Sequence, residues 1–221
     1  PNEHEYKLMG LAPYCQNEYS DKLFNKFKQF QDVKNCKFIN KKVPKDLFFS
    51  IHEIIKYQRF DVIASALQRY TEYLVIKWVN QIIKQYKIKN ISCAGGVFMN
   101  VKMNMLISKI KNLENIYIPP SPDDTSQSIG AIFYLNYLKN QKNYNLKNAY
   151  LGFEIKKQTI PKILNRKIIE YSGNSALNKA VRLLSNGKIV AYVYGKAEFG
   201  ARALGNRSIL AHPYKNGVIK N

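Results

Sequence analysis

From Ile51 to Tyr86 the chain contains neither glycine nor proline. Within that run, FDVIASALQRYTEYLVIKWVNQIIKQY repeats apolar residues at helical spacing. The pattern predicts one long, well-buried helix or two in succession. A helix of that size needs a core to face, and 46% hydrophobic content in 221 residues provides one. Those features exclude a disordered chain.

Downstream, Lys89-Asn90 gives way to ISCA, a short β-type run, then to Gly95-Gly96 and a second helical pattern from Val101 to Ile110. NIYIPPSPDD reads as a strand over Ile116–Ile118 that ends in a proline-rich turn, and Ser126–Leu138 as another helix. Helix, strand, helix, strand, helix implies crossover connections and a mainly parallel sheet. After Leu138 the chain turns polar and rich in Lys and Asn for about ten residues, which marks a candidate domain boundary. Beyond it, Ser175–Ser185 reads as a short helix stopped by Asn186-Gly187, and KIVAYVYG as a strand.

The formal charge is +20. Its lysines come singly or in pairs such as Lys41-Lys42 and Lys156-Lys157, interleaved with Asn, Ile and Tyr. That scatter points to a solvated basic surface and argues against a nucleic-acid interface, which needs a clustered patch. Cys15, Cys36 and Cys93 are too few and too irregular for a disulfide framework or a zinc site, and His4, His52 and His212 are far apart. A reducing cytoplasm is the expected compartment. No apolar run reaches bilayer length, so no membrane partner is expected, and PNEHEYK has no signal-peptide core. Without an initiating Met, the chain reads as an excerpt of something larger.

Three segments could carry chemistry. In SCAGGVFMN a strand runs into paired glycines and a helix. Absent Cβ atoms let a phosphate or ribose approach the backbone, and free N–H groups favour negative charge. A tight strand-to-helix bend explains the glycines equally well. Asn100 and Asn104, at helical spacing, are either amide contacts to a base or sugar or surface polar residues. In PPSPDDTSQSIGA, Asp123 and Asp124 follow a strand end, where a carboxylate can hold a divalent cation. Taken alone, the sequence favours a plain helix cap by Asp124.

The third segment is AEFGARALGNRS. By count six arginines occur in the chain (Arg59, Arg69, Arg166, Arg182, Arg202, Arg207), which leaves 29 lysines among 35 basic residues. Two of the six lie here, Arg202 between Gly200 and Gly205 and Arg207 two residues after Gly205, with Gly195 upstream. A guanidinium presents a planar fork that matches phosphate oxygens, whereas lysine offers a point charge. The segment is therefore either an anion-binding loop or a glycine-rich surface loop with two arginines.

Taken in order, HEYKLMGLAPY, AGGVFMNVKMN, SPDDTSQSIGA and GKAEFGARALGNRSILAHP resemble the signature blocks of the NodU/CmcH-type O-carbamoyltransferases, across nearly the whole chain. The resemblance implies an α/β fold in two parts. Residues 1–146 would be the second half of an actin/Hsp70/sugar-kinase-type (ribonuclease H-like) unit that binds nucleotide and metal and transfers the carbamoyl group. Residues 150–221 would open a YrdC-like unit that makes carbamoyl-adenylate from carbamoyl phosphate and ATP. The acceptor would be a hydroxyl of a sugar or natural product.

Position by position, the resemblance implies nucleotide contacts from Gly95, Gly96 and Asn100, with Glu5 and Lys7 touching ribose or phosphate. Asp124, six residues before Gly130, matches the aspartate that ligates a divalent metal of iron or magnesium type. Arg202, Asn206, Arg207 and Ser208 match the catalytic block that grips carbamoyl phosphate and the ATP phosphates, with Lys196 and Glu198 as flanking helpers. The sequence departs from the pattern at Cys15, Ser126, Ala201 and His212, where Gly, Gly, Pro and Asp are usual; Ser126 removes backbone freedom beside the metal position. The family's paired metal-binding histidines are expected upstream of residue 1 and most of the YrdC-like unit beyond Asn221. The isolated piece is accordingly expected to have little activity. Alternatives are a truncated or degenerate nucleotide-binding relative, or a protein that modifies tRNA as threonylcarbamoyl transferases do.

Overall fold

The computed structural model describes residues 5–42, 44–142, 146–154 and 174–214. His4, the Lys156-Lys157 pair, Arg166 and part of the polar stretch after Leu138 lie outside them. The chain forms two compact units, residues 1–126 and 127–221.

In the first unit, α1 (Glu5–Leu11), a 3-10 turn (Ala12–Tyr14) and α2 (Asn17–Phe27) precede a hairpin of β1 (Gln31–Lys34) and β2 (Lys37–Asn40). Then come α3 (Leu47–Ile55), α4 (Phe60–Tyr86), β3 (Asn90–Ser92), a 3-10 turn (Gly96–Met99), α5 (Val101–Ser108), β4 (Asn115–Tyr117) and a last 3-10 turn (Asp124–Ser126). The glycine-free run is thus two helices in succession. Tyr57, in the left-handed region at φ 62°, separates them.

α4 is the spine, and its two halves face different cores. Val62 and Ala66 near its start pack with Leu23 and Phe27 of α2 and with Cys15. Val75, Val79 and Ile83 near its end pack with Cys93, Phe98, Met103, Ile107 and Ile110. Met103 and Ile107 are fully buried, and burial of side chains this size stabilises by about 1.5–3 kcal/mol each. Where α2 meets α4, the Ser20 and Ser65 hydroxyls meet at 3.0 Å. Arg69 braces that junction, donating to Ser20 Oγ at 2.8 Å, the Asn17 carbonyl at 2.9 Å and Asp21 at 2.7 Å.

β3 and β4 pair in parallel, Ile91 opposite Ile116, with α5 as the crossover. The expected mainly parallel sheet is realised only here. Among the described residues each sheet has two strands, and β1–β2 and the later pair are antiparallel. The β1–β2 connection is too short for a crossover, which fixes it as a hairpin. The fold is therefore mixed α/β with small sheets.

The second unit contains α6 (Gln127–Asn140), α7 (Ser175–Ser185), β5 (Val190–Val193) and β6 (Arg207–Leu210). β5 and β6 are antiparallel, Val193 opposite Arg207 and Tyr192 opposite Ser208. The long loop between them carries the arginine-rich segment. All three cysteines are free thiols. Among the described residues no helix is long and apolar enough to cross a membrane.

Candidate functional site

Parallel pairing puts the C-terminal ends of β3 and β4 side by side, and each strand runs directly into one of the two sequence motifs. The Cys93 amide extends the pairing to the Tyr117 carbonyl at 2.9 Å, and the Gly95 amide reaches the Pro122 carbonyl at 2.6 Å. The diglycine turn is thus fastened to the SPDD turn.

Gly95 adopts φ +109°, a conformation that L side chains rarely adopt, so glycine is needed there for the backbone. Gly96 is different: its φ is not in that region, and a Cβ on it would meet nothing within 4 Å. Both glycines are exposed, leaving open space above the turn.

Asn100 sits one step deeper. Its Oδ1 accepts from the Met103 amide at 3.1 Å and caps α5. The same side chain pairs with Gln68 of α4, which is buried. Asn104 donates to the Phe98 carbonyl at 2.6 Å, bracing the 3-10 turn from below. Both asparagines therefore shape the turn.

Asp123 Oδ1 accepts from the Ser121 hydroxyl at 2.9 Å and from the Thr125 amide at 3.2 Å, and also from the Thr125 hydroxyl. Those hydroxyls and that amide outweigh partial burial and hold its carboxyl below the usual carboxylate range. Asp123 thus closes the turn onto Thr125. Asp124 opens the 3-10 turn and is exposed. Ser126 donates its hydroxyl to the Ser121 carbonyl and lies outside the left-handed region, so the turn does not use the freedom a glycine would bring.

Among the described residues no group of three or more His, Cys, Asp or Glu side chains could hold a metal ion. Asp124 offers a single carboxylate, and these residues do not by themselves make a metal centre. Glu5 and Lys7 lie exposed on α1. Two positions apart on a helix, they leave it on different faces.

In the second unit the β5–β6 loop does curl around an anion, and that anion is its own Glu198. The side chain is fully buried, accepting from the Leu204 amide at 2.8 Å and the Asn206 amide at 2.6 Å. Arg207 Nε stands 3.5 Å from the same carboxylate, and its guanidinium donates to the Gly200 carbonyl. Burial alone would raise the Glu198 pKa; the two amides and Arg207 more than offset it and lower it. Gly195, Gly200 and Gly205 all have positive φ, at 61°, 109° and 119°. Asn206 ties the loop's base, donating to the Lys196 carbonyl at 2.9 Å and accepting from the Tyr194 amide at 2.8 Å. Arg202 is half-buried within the loop, and Ser208 follows on β6. The sequence marks Glu198 only as a helper; nothing in its spacing signals that backbone amides converge on it.

Residues 1–133 match the family model described as carbamoyltransferase N-terminus, and residues 181–221 the model for carbamoyltransferase C-terminus. The chain belongs to the carbamoyltransferase family. An uncharacterized protein of Methanocaldococcus jannaschii is 31% identical over 100% of this chain and 44% of its own length. An uncharacterized protein of Synechocystis is 30% identical over 96% of this chain and 39% of its own. Nodulation protein NolNO of Sinorhizobium fredii is 27% identical over 95% and 32%. The chain thus spans less than half the length of the curated relatives it matches.

Proposed function

We propose that the chain forms part of an ATP-dependent O-carbamoyltransferase. Carbamoyl phosphate, ATP and water yield carbamoyl-adenylate, phosphate and pyrophosphate, and the carbamoyl group passes to a hydroxyl of a sugar or natural-product acceptor as AMP leaves. The observation that carries this reading is the fastening of the diglycine turn to the SPDD turn at the C-terminal ends of two parallel strands. Ligands of open α/β folds bind at such ends. Gly95 and Gly96 leave the backbone open to nucleotide phosphates, and Asn100 holds that turn on α5.

In this reading residues 1–146 are the actin/Hsp70-type portion and residues 150–221 begin the YrdC-like portion. Arg202, Asn206, Arg207 and Ser208 bind and orient the phosphates of carbamoyl phosphate and ATP, placing positive charge and hydrogen-bond donors where phosphoryl charge is displaced. Asp124 contributes one ligand to a divalent metal whose other ligands are not among the described residues. When bound, such an ion polarises a carbonyl or phosphoryl oxygen.

The test uses the full-length gene product with ATP, carbamoyl phosphate and labelled pyrophosphate. Carbamoyl phosphate-dependent exchange of label into ATP is expected, and a folded protein that shows none refutes the proposal. Arg202→Lys should slow the exchange by about tenfold or more, because a bidentate grip is lost while the charge is kept.

A further inference from the structure

We propose that Glu198 is a positioning residue: its buried carboxylate is the internal anion on which the β5–β6 loop is assembled, and it aims Arg207 for the phosphate of carbamoyl phosphate. The second clause rests on the function proposed above; the first does not.

Three donors converge on this side chain. The Leu204 amide binds one oxygen and the Asn206 amide the other, and the Arg207 Nε lies beside the first. Leu204 and Asn206 flank Gly205, whose φ of 119° turns the chain so that both amides can face inward. The asymmetry of exposure is informative: the Glu198 side chain has none, whereas that of Arg207 is 45% exposed. A guanidinium held on one edge by a buried carboxylate and by the Gly200 carbonyl has its direction fixed while other donors remain open to solvent. A buried carboxylate is costly unless its hydrogen bonds are satisfied, and here the loop itself satisfies them. The pKa lowered by these donors keeps Glu198 ionised through neutral pH.

The outer side of the loop is held independently of Glu198. The Phe199 amide donates to the Ala149 carbonyl at 2.7 Å, and Ala197 exchanges backbone hydrogen bonds with Gly152 and Phe153 at 2.9 Å each. Replacement of Glu198 is therefore expected to loosen residues 200–207 while the 149–154 segment stays paired.

The full-length protein and its Glu198→Gln, Arg207→Gln and doubly substituted forms are compared in two measurements. Hydrogen exchange without ligand reads the loop. The Leu204 and Asn206 amides are expected to exchange about tenfold faster or more in Glu198→Gln, with the Ala197 and Phe199 amides unchanged. Unchanged Leu204 and Asn206 overturn the assembly role. Carbamoyl phosphate affinity then reads positioning. If Glu198 acts through Arg207, the double substitution weakens binding no more than Arg207→Gln alone; additive losses overturn the positioning role. Should Glu198→Gln fail to fold, Glu198→Asp keeps the charge but shortens the reach, and the same two readouts apply with smaller changes. A wild-type protein that binds no carbamoyl phosphate refutes the proposed function and with it the aim of Arg207, and the exchange rates still decide whether Glu198 assembles the loop.

Discussion

Asn100 and Gln68 exchange amide hydrogen bonds across the α4–α5 contact: Asn100 Nδ2 donates to Gln68 Oε1 at 2.8 Å and Gln68 Nε2 returns the bond to Asn100 Oδ1 at 3.1 Å. The pair ties the spine helix to the first turn of α5, immediately after the diglycine turn. Asn100→Ala removes both the cap on Met103 and the partner of a buried Gln68, so a loss of about 2 kcal/mol is expected in urea unfolding. Asn100→Asp keeps the cap acceptor but sets a carboxylate against Gln68 Oε1, and should lose about half as much.

Asp32 is the charged hub of the hairpin. It accepts from Lys77 Nζ at 2.6 Å and the Tyr73 hydroxyl at 3.0 Å, and pairs with Lys41 at 2.7 Å. Burial would raise its pKa, but the lysines, the Val33 amide and Tyr73 together hold it well below the usual carboxylate range. A depressed folded pKa contributes stability that is complete above the unfolded value near 3.8 and is lost as pH falls toward the folded one. Wild-type stability should therefore decline below about pH 4, whereas Asp32→Asn should be less stable at pH 7 by about 1–2 kcal/mol and show a flatter acid limb. Both lysines are partly exposed, at 36% and 43%, which keeps that figure modest.

Gly152 leaves room for Ala197. A Cβ placed on Gly152 would stand 2.6 Å from the Ala197 Cβ, a separation that real structures do not show. Gly152→Ala should separate the 149–154 segment from the loop and cost about 1–3 kcal/mol in thermal or denaturant unfolding. Removing the other methyl with Ala197→Gly in the same chain should restore part of the loss and leave the remainder, because the Ala197 carbonyl oxygen still lies 3.0 Å from the new Cβ.

An interaction is legible in the sequence only when it leaves a local mark. The α4 spine and the strand–turn–helix order around Gly95 were readable because apolar spacing and glycine both signal at short range. The break at Tyr57 was not, because a left-handed tyrosine carries no sequence cue. The β1–β2 hairpin is equally silent. Its turn places Asn35 and Cys36 at φ 50° and 58° without a glycine, and β2 is exposed along its whole length, so no buried alternation marks it. Arginine scarcity alone does not separate a ligand site from a brace: Arg59 grips Asp61, and Arg69 braces α2. The hydrogen bonding of Asp123, and the placing of Glu198 at the centre of its loop, depend on backbone amides and hydroxyls that no residue spacing encodes.

Gly95 and Gly96 separate a folding requirement from a ligand requirement. At Gly95 the backbone itself demands glycine, so Gly95→Ala should lower stability by about 1–3 kcal/mol and disturb the tie to Pro122 whatever the chain binds. At Gly96 nothing demands it: the site is exposed, a methyl meets no neighbour, and the conformation suits any L residue. Gly96→Ala should leave unfolding within about 0.5 kcal/mol of wild type. If a nucleotide phosphate lies against this turn, the added methyl occupies the space it needs, and ATP affinity measured by calorimetry on the full-length protein should fall by about tenfold or more. Equal ATP affinity in the Gly96→Ala and wild-type proteins would place the nucleotide elsewhere and reduce the diglycine to a strand-to-helix bend.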